Sequence, residues 1–459
     1  MKRLVLLALL AGCTTVGPDY QRPEVDLPAK FPGEISGEAP VPADWWKLYR
    51  DPFLDELVAS ARSRNADIRL AAARVQEAEA LVREAGAARY PEVTAGASAG
   101  RSRVSTRVIP APQASVPLER SQYQLSASTS FELDFWGRLS RAAEAAQANL
   151  LASRYSQEVV ALSLAGATAQ AYFTARSLEA QLEVLDRAIE VRKESLSIAR
   201  TRTDAGLASA LDVYQAQGAL ADALAQRREA ARQRALTERA LAQLTGRLDL
   251  KILHGKLFDL PLPPAPPPGL PSALLARRPD IRSAEASMIA ANAQIGVARA
   301  ALFPTISLTA SLGAQSAELS QLLSSGAGIW SIGLAAAAPL FDAGRREARV
   351  EQAEARRAQA LAGYQRSIET AFREVADALV SVEQSAGAEA ALAARLEAAR
   401  SALELSNERY RAGYSPFLEV LDAQRTANDA ELAFVRNRQA RLGFSVDLMR
   451  SLGGGWQPD

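Results

Sequence analysis

One cysteine, one histidine and three methionines in 459 residues leave this chain almost without soft or redox-active side chains. A lone Cys13 permits no internal disulfide, so the fold has to hold by packing. The one imidazole, His254, sits beside Gly255 in what reads as an exposed loop, so neither a Cys–His nucleophile nor a His-rich metal site can be assembled. Three methionines make no soft-ligand ladder of the kind a dedicated copper or silver carrier uses. The expectation is a protein that is not an enzyme and holds no metal or cofactor. An excess of one charge is missing too. With 53 basic and 52 acidic residues the net charge is +1, which lacks the basic surplus of a nucleic-acid surface. Beyond residue 13 no uncharged apolar run reaches about 18 residues, so no transmembrane helix is available and any membrane crossing falls to β-strands.

What the amino terminus does have is distinctive. Lys2 and Arg3 precede an apolar stretch from Leu4 to Ala11, which ends in Leu10-Ala11-Gly12-Cys13. That is a lipoprotein signal peptide, residues 1–12, closed by a lipobox. Cys13 is expected to carry S-diacylglycerol and an N-acyl chain such as palmitate, more than the two membrane signals that stable anchoring needs. Thr14 is not the Asp of an inner-membrane retention signal, which points to the outer membrane. Residues 13–42, with Pro18, Pro23, Pro28, Pro32, Pro40 and Pro42, read as an extended lipidated tether.

The remainder is an internal repeat. Leu133-Asp134-Phe135-Trp136-Gly137-Arg138 matches Leu340-Phe341-Asp342-Ala343-Gly344-Arg345, the two glycines standing 207 residues apart. Asp204-Ala205-Gly206-Leu207 matches Arg411-Ala412-Gly413-Tyr414 at the same offset, as Gly246 matches Gly453. Upstream, Asp67-Ile68-Arg69 and Pro91 match Asp280-Ile281-Arg282 and Pro304 at an offset of 213, so the first hairpin carries about six extra residues. Repeat 1 spans 43–260, with a hairpin at about 91–136 and a helix pair at about 138–245. A Pro-rich crossing fills 261–276. Repeat 2 spans 277–452, with a hairpin at about 304–341 and a helix pair at about 344–451, and 453–459 form a tail. No proline lies between Gly137 and Leu260 or between Leu340 and Ser415, and both stretches are rich in Ala, Leu, Glu, Arg and Gln. At about 1.5 Å per residue each first helix would run roughly 100 Å. Such rods need neighbours along their whole length, and alanine permits close approach.

Between the helices, Tyr123, Leu125, Ala127, Thr129, Phe131 and Leu133, apolar but for Thr129, alternate with Gln124, Ser126, Ser128, Ser130, Glu132 and Asp134. Ile306, Leu308, Ala310 and Leu312, and Trp330, Ile332 and Leu334, alternate likewise with Ser, Thr or Gly; Val93, Ala95 and Ala97 form a weaker series. Tyr90, Trp136, Phe303, Trp330 and Phe341 suit interfacial girdles. A soluble half-buried sheet would alternate in the same way; the lipobox favours the membrane. Four strands cannot close a barrel, and even eight give an interior filled by side chains. An open edge is forbidden in lipid, so the chain has to oligomerise, with three copies and twelve strands the smallest number that leaves a channel.

Two hairpin-plus-helix-pair copies, a lipobox and Gly17-Pro18-Asp19-Tyr20 resemble the outer-membrane factors of the TolC and OprM type, in the NodT-type efflux lipoprotein branch. So do Arg277-Arg278-Pro279-Asp280-Ile281, Phe303-Pro304 and Leu421-Asp422-Ala423-Gln424-Arg425. The likeness covers the whole mature chain. It implies a membrane α+β fold: a homotrimer whose twelve-stranded outer-membrane β-barrel continues into a periplasmic barrel of twelve helices. It also implies an equatorial domain where residues 43–62, the 247–275 crossing and the C-terminal segment lie. The implied role is exit duct of a tripartite efflux system, taking drugs or other small molecules from an inner-membrane pump of the RND type and a periplasmic adaptor. Export of proteins by type I secretion is the alternative within transport, and the lipid anchor leans away from it. A lipid-anchored coiled-coil scaffold would explain the helices but not the strands, and a cell-wall hydrolase would explain the anchor alone.

By the same resemblance Leu418 and Asp422 face the duct axis at its closed periplasmic end, with Arg425 pairing between helices. Leu418 and Asp422 are four apart and Arg425 three further on, so one helix face can carry all three. Three Asp422 carboxylates would make a ring attractive to cations, and three Leu418 a constriction. The simpler reading is an i,i+3 ion pair on a solvated face, worth a few tenths of a kcal/mol, or about 0.3. Gln215 matches Asp422 in the first repeat, so only the second would carry the ring. The turns at Gly206-Leu207 and Gly413-Tyr414 are helix C-caps that need positive φ. The resemblance makes them the tips that meet the adaptor, and exposed Leu207 and Tyr414 fit such a contact.

Overall fold

The computed structural model describes residues 15–28, 31, 41–105, 107, 117–252, 255–267, 269 and 271–456; Cys13, Thr14 and His254 lie outside them. A 3-10 turn at Trp45–Tyr49 leads into α1 (Pro52–Arg64) and α2 (Ala66–Ala87). The first hairpin is β1 (Glu92–Arg103) and β2 (Glu119–Glu132), followed by α3 (Arg138–Asp204) and α4 (Ala210–Thr245). After the proline-rich crossing come α5 (Pro279–Ala300), β3 (Thr305–Ser316), β4 (Gly328–Ala337), α6 (Arg345–Arg411) and α7 (Phe417–Ser451). The long helices α3 and α6 have 67 residues each. Among the described residues no helix is long and apolar enough to cross a membrane.

The chain divides into two compact units, and both repeats contribute to each. One comprises the residues up to Glu24, Val75–Ser153 and Ala284–Tyr364; the other comprises Val25–Arg74, Arg154–Ser283 and Gln365–Asp459.

In the first unit all four strands form one antiparallel sheet in the order β1-β2-β3-β4. The pairing Glu92↔Ser130 corresponds to Thr305↔Ala337 under the offsets of 213 and 207, so the two hairpins share a register. Directly opposed residues lie on one face. The rows Phe131↔Leu308↔Leu334, Thr129↔Ala310↔Ile332 and Ala127↔Leu312↔Trp330 make one face apolar. Ser128↔Ser311↔Ser331 and Thr94↔Ser128 make the other a hydroxyl surface, with Oγ···Oγ distances of 2.8 Å for Ser311–Ser331 and 2.9 Å for Thr94–Ser128.

The strand-to-helix steps explain the repeated motif. The Asp134 carboxylate caps α3, accepting from the N–H groups of Leu139 (3.0 Å) and Ser140 (2.8 Å) and from the Ser140 hydroxyl (2.7 Å). In the second copy the acid stands one place later in the motif: Asp342, not Phe341, reaches the first turn of α6, where it takes a 2.8 Å bond from Arg346. Trp136 stacks on Phe303 at 4.7 Å and donates Nε1–H to the Pro304 carbonyl at 2.7 Å, locking the two hairpin bases together.

Residues 15–24 are a strap packed into this unit, more tightly bound than the surface tether expected. Val16 N–H donates to the Trp136 carbonyl at 3.0 Å. Gly17 lies against Gly296 so closely that a side chain at either position would collide with backbone. Buried Arg141 holds Asp19 at 2.6 Å, buried Glu285 takes Tyr20 (3.2 Å) and Arg22 (3.0 Å), and Asn292 donates to the Pro18 carbonyl at 2.8 Å. Ion pairs with a buried member are costly to break from one side only.

The second unit has the aromatic core. Trp45, Tyr49, Leu54, Leu57, Tyr172 and Phe173 are fully buried, each large side chain contributing about 1.5–3 kcal/mol. Tyr49 bonds Ser445 at 2.7 Å, and Tyr172 donates to Asp51, whose other oxygen caps α1. The Arg-Arg-Pro-Asp motif has a structural explanation: buried Arg278 binds Asp280 (2.6 Å), Glu374 on α6 (2.8 Å) and the Ser451 carbonyl at the end of α7 (3.0 Å).

Burial pushes the Asp134 carboxyl up, but the two N–H donors and the Ser140 hydroxyl outweigh it and hold the group below its ordinary value. Its stabilisation is therefore fully present above the unfolded-state value and is lost as pH falls through the lower folded value. Asp134→Ala is expected to lower stability by about 1–2 kcal/mol at neutral pH. The deficit should vanish in acid below the folded value, as read from helical dichroism melts of both proteins across pH.

Candidate functional site: the exposed sheet and the hairpin tips

Two surfaces stand out, one in each unit. On the sheet, the apolar face is bare in the single chain. Leu312 is 69%, Trp330 77%, Ile332 68% and Leu334 69% exposed. Tyr90, Leu340 and Phe341 are also exposed near the helix-side strand ends, whereas Trp330 lies toward the hairpin end, so aromatic residues border the apolar band on both sides. A patch of this extent on a soluble monomer would be an aggregation surface. The edges β1 and β4 present unpaired backbone groups.

In the second unit the ends of the two helix pairs meet at an apolar cluster of Leu196, Ala199, Ala216, Tyr410, Phe417 and Val420. The turns beyond it are superposable in their hydrogen bonding. Gly206 N–H donates to Thr203 and Leu207 N–H to Arg202; Gly413 N–H donates to Tyr410 and Tyr414 N–H to Arg409, at 3.0 and 2.8 Å in each copy. The glycines have φ of 70° and 82°, where a Cβ is disfavoured, and open space surrounds both. Ser209 caps α4 by accepting from Leu211 N–H at 3.1 Å, while Pro416 at the matching place cannot cap α7. Behind the turns Arg202 lies 4.8 Å over the Tyr410 ring and donates to its carbonyl at 3.1 Å. Burial pushes the Tyr410 phenol up, with Arg202 opposing. Buried Gln424 donates to Ser195 at 2.7 Å, tying α7 to α3.

Leu207 and Tyr414 are exposed at these tips. So are Leu211 and Tyr214, three apart on the first turn of α4, which sequence reasoning passed over although Leu211 corresponds to Leu418 at the 207 offset. Leu418, Asp422 and Arg425 share the exposed face of α7, opposite buried Phe417, Val420 and Gln424. Arg425 pairs with Asp422 of its own helix at 2.7 Å, the i,i+3 geometry, and not across helices in the single chain. Both side chains are well exposed, so the pair itself is worth about 0.2–1 kcal/mol. The first repeat has Gln215 and Gly218 at these places. Among the described residues no group of three or more His, Cys, Asp or Glu converges on a metal-sized site.

A sheet with one apolar and one hydroxyl face, bordered by aromatics and carried on paired helices, is the architecture of an outer-membrane channel. The outer membrane efflux protein profile matches residues 57–247 and 270–454. The chain is 36% identical over 467 residues to the toluene efflux pump outer membrane protein TtgI of Pseudomonas putida, covering 98% of this chain and 97% of that one. It is 35% identical to the outer membrane protein OprJ of Pseudomonas aeruginosa, covering 98% and 95%. The solved outer-membrane channel OprN superposes with a TM-score of 0.89 at 33% identity, covering 97% of this chain and all of that one. The chain belongs to the outer membrane efflux protein family. It is an outer-membrane exit duct for efflux.

Phe417 is 2% exposed at the centre of the tip cluster. Phe417→Ala is expected to cost about 3–5 kcal/mol locally. Hydrogen exchange should then lose protection around 196–199 and 410–420 while the strands exchange as in the native protein.

Proposed function

We propose that three copies of the chain close a twelve-stranded barrel in the outer membrane. Through this barrel and a periplasmic barrel of twelve helices, drugs or other small molecules delivered by an RND-type inner-membrane pump and a periplasmic adaptor leave the cell. The observation that carries this reading is the bare apolar sheet face combined with two open edges. In hydrocarbon every unpaired edge group costs several kcal/mol, about 2 or more, so β4 of one copy has to pair with β1 of the next. The apolar rows then meet lipid and the serine and threonine rows line water.

The lipid on Cys13 fits the strap. Cys13 is three residues before Val16 in the sequence, and the Val16 N–H donates to the Trp136 carbonyl. Gly206, Leu207, Gly413 and Tyr414, with Leu211 and Tyr214 beside them, form the adaptor-contacting tips. Leu418 and Asp422 of three copies make the closed constriction, with Arg425 setting the Asp422 carboxylate.

Single-channel conductance of the purified protein in planar bilayers tests duct and gate together. A small native conductance that rises several-fold in Asp422→Ala plus Arg425→Ala supports both. Equal, large conductance from both proteins moves the gate elsewhere, and no channel from either sinks the duct reading. Cys13→Ser should release the protein from acyl labelling with radioactive palmitate while leaving channel formation intact.

A further inference from the structure

Above the apolar band, the outward face of β1 does not end in a neutral loop. Val93, Ala95, Ala97 and Ala99 are followed on the same face by Arg101 and Arg103, because β1 and β2 pair one to one from Glu92↔Ser130 to Arg103↔Glu119 with no bulge to turn a side chain over. Their side chains are 73% and 71% exposed. One carboxylate, Glu119, serves both, at 2.6 Å from Arg101 and 3.8 Å from Arg103, so among the described residues two guanidiniums face a single acid. The second hairpin shows that this is not a feature of the hairpin as such. Under the two offsets Arg101, Arg103 and Glu119 correspond to Ala314, Ser316 and Gly326, none of them charged.

Height places the pair. Arg101 stands eight residues beyond Val93, about 27 Å along the strand, or about 20 Å along the membrane normal at a strand tilt near 40°. Adding the helix-side girdle at Tyr90 brings the guanidiniums to the far boundary of a hydrocarbon layer about 25 Å thick. At that level a lipid-facing side chain meets headgroups. A guanidinium fork matches a phosphate bidentately, which a lysine cannot do. We propose that Arg101 and Arg103 form a lipid-headgroup site for a phosphomonoester in the outer leaflet, with Glu119 as the partner that the phosphate displaces. The site rests on the membrane-barrel reading given above. Its occupant is a phosphorylated lipid and not free phosphate: both side chains are mostly exposed and adjoin the apolar rows of the sheet, from which acyl chains gain contact and a free ion gains nothing.

The test is titration of the full-length protein in detergent micelles with fluorescent bisphosphorylated lipid A. Arg101→Gln plus Arg103→Gln should bind about ten- to thirty-fold more weakly. Glu119→Gln should bind several-fold more tightly, because the competing carboxylate is gone, and this variant keeps the site testable should the double variant misfold. Enzymatically dephosphorylated lipid A should bind as weakly to the native protein as lipid A does to the double variant, and millimolar inorganic phosphate should fail to displace the lipid. Unchanged affinity in the double variant, equal binding of the dephosphorylated lipid, or displacement by inorganic phosphate at concentrations equal to the lipid would each overturn the site. Conductance of the same preparations separates the two readings: channels from native and variant alike make any loss of lipid binding specific to the arginines, while no channel from the native protein would mean that the barrel reading has failed first.

Discussion

Backbone hydrogen bonding at the two free edges of a four-stranded sheet is the constraint on which this protein depends. The sheet is internally complete: every strand from β1 to β4 is paired in register, and the order follows the sequence without a crossover. What remains unpaired is the outer side of β1 and of β4. In water such edges are a liability that charges or bulges manage; in hydrocarbon they are prohibitive. The edges here carry neither proline nor a bulge, and the apolar rows run up to them. Flat edges and an apolar outer face suit the sheet to the outer membrane in which this family's channels lie.

The helices answer a different shortage. Their interiors are built from alanine and other small residues, as at Ala143, Ala145, Ala148 and Ala152 on α3. Such a surface buries little area per residue and gains stability from closeness of approach along a great length. Larger side chains are concentrated where the repeat geometry is interrupted: the aromatic core of Trp45, Tyr49, Tyr172 and Phe173, and the tip cluster around Phe417. Between these knots the helix faces stay half-buried in the single chain, which is what surfaces awaiting neighbours look like.

Most of this architecture was legible because it is periodic. Twofold alternation located the strands, proline-free stretches located the helices to within a residue or two of Arg138–Asp204 and Arg345–Arg411, and the pair of offsets fixed corresponding positions so well that Glu92↔Ser130 and Thr305↔Ala337 are equivalent. What escaped was aperiodic. The strap at residues 15–24 read as a proline-rich tether, because its fixation comes from single contacts with Arg141, Glu285, Asn292 and Gly296, more than a hundred residues away, and no local pattern announces them. The acid of the strand-to-helix motif shifted from Asp134 to Asp342, one place along in the motif, because either position can reach the first turn of the following helix. Leu211 and Tyr214 were missed for the opposite reason: an apolar stripe on a helix is ordinarily core, and only the location at an open turn makes it surface.

The two repeats match in strand register and in the hydrogen bonding of their tip turns, and differ in side chains. The tip turns repeat to the tenth of an ångström in their hydrogen bonds, yet Asp422 and Arg425 in the second copy face Gln215 and Gly218 in the first. The hairpins repeat in register, yet Arg101, Arg103 and Glu119 in the first are replaced by Ala314, Ser316 and Gly326 in the second. Backbone equivalence keeps the two hairpins in one register and the two tip turns in one hydrogen-bonding pattern. Side chains pointing away from the packed seams are free of that requirement. Charge in this nearly neutral chain is therefore informative where one repeat has it and the other does not: Asp422 and Arg425 belong to repeat 2, Arg101, Arg103 and Glu119 to repeat 1, and each set stands on a different copy of the same scaffold.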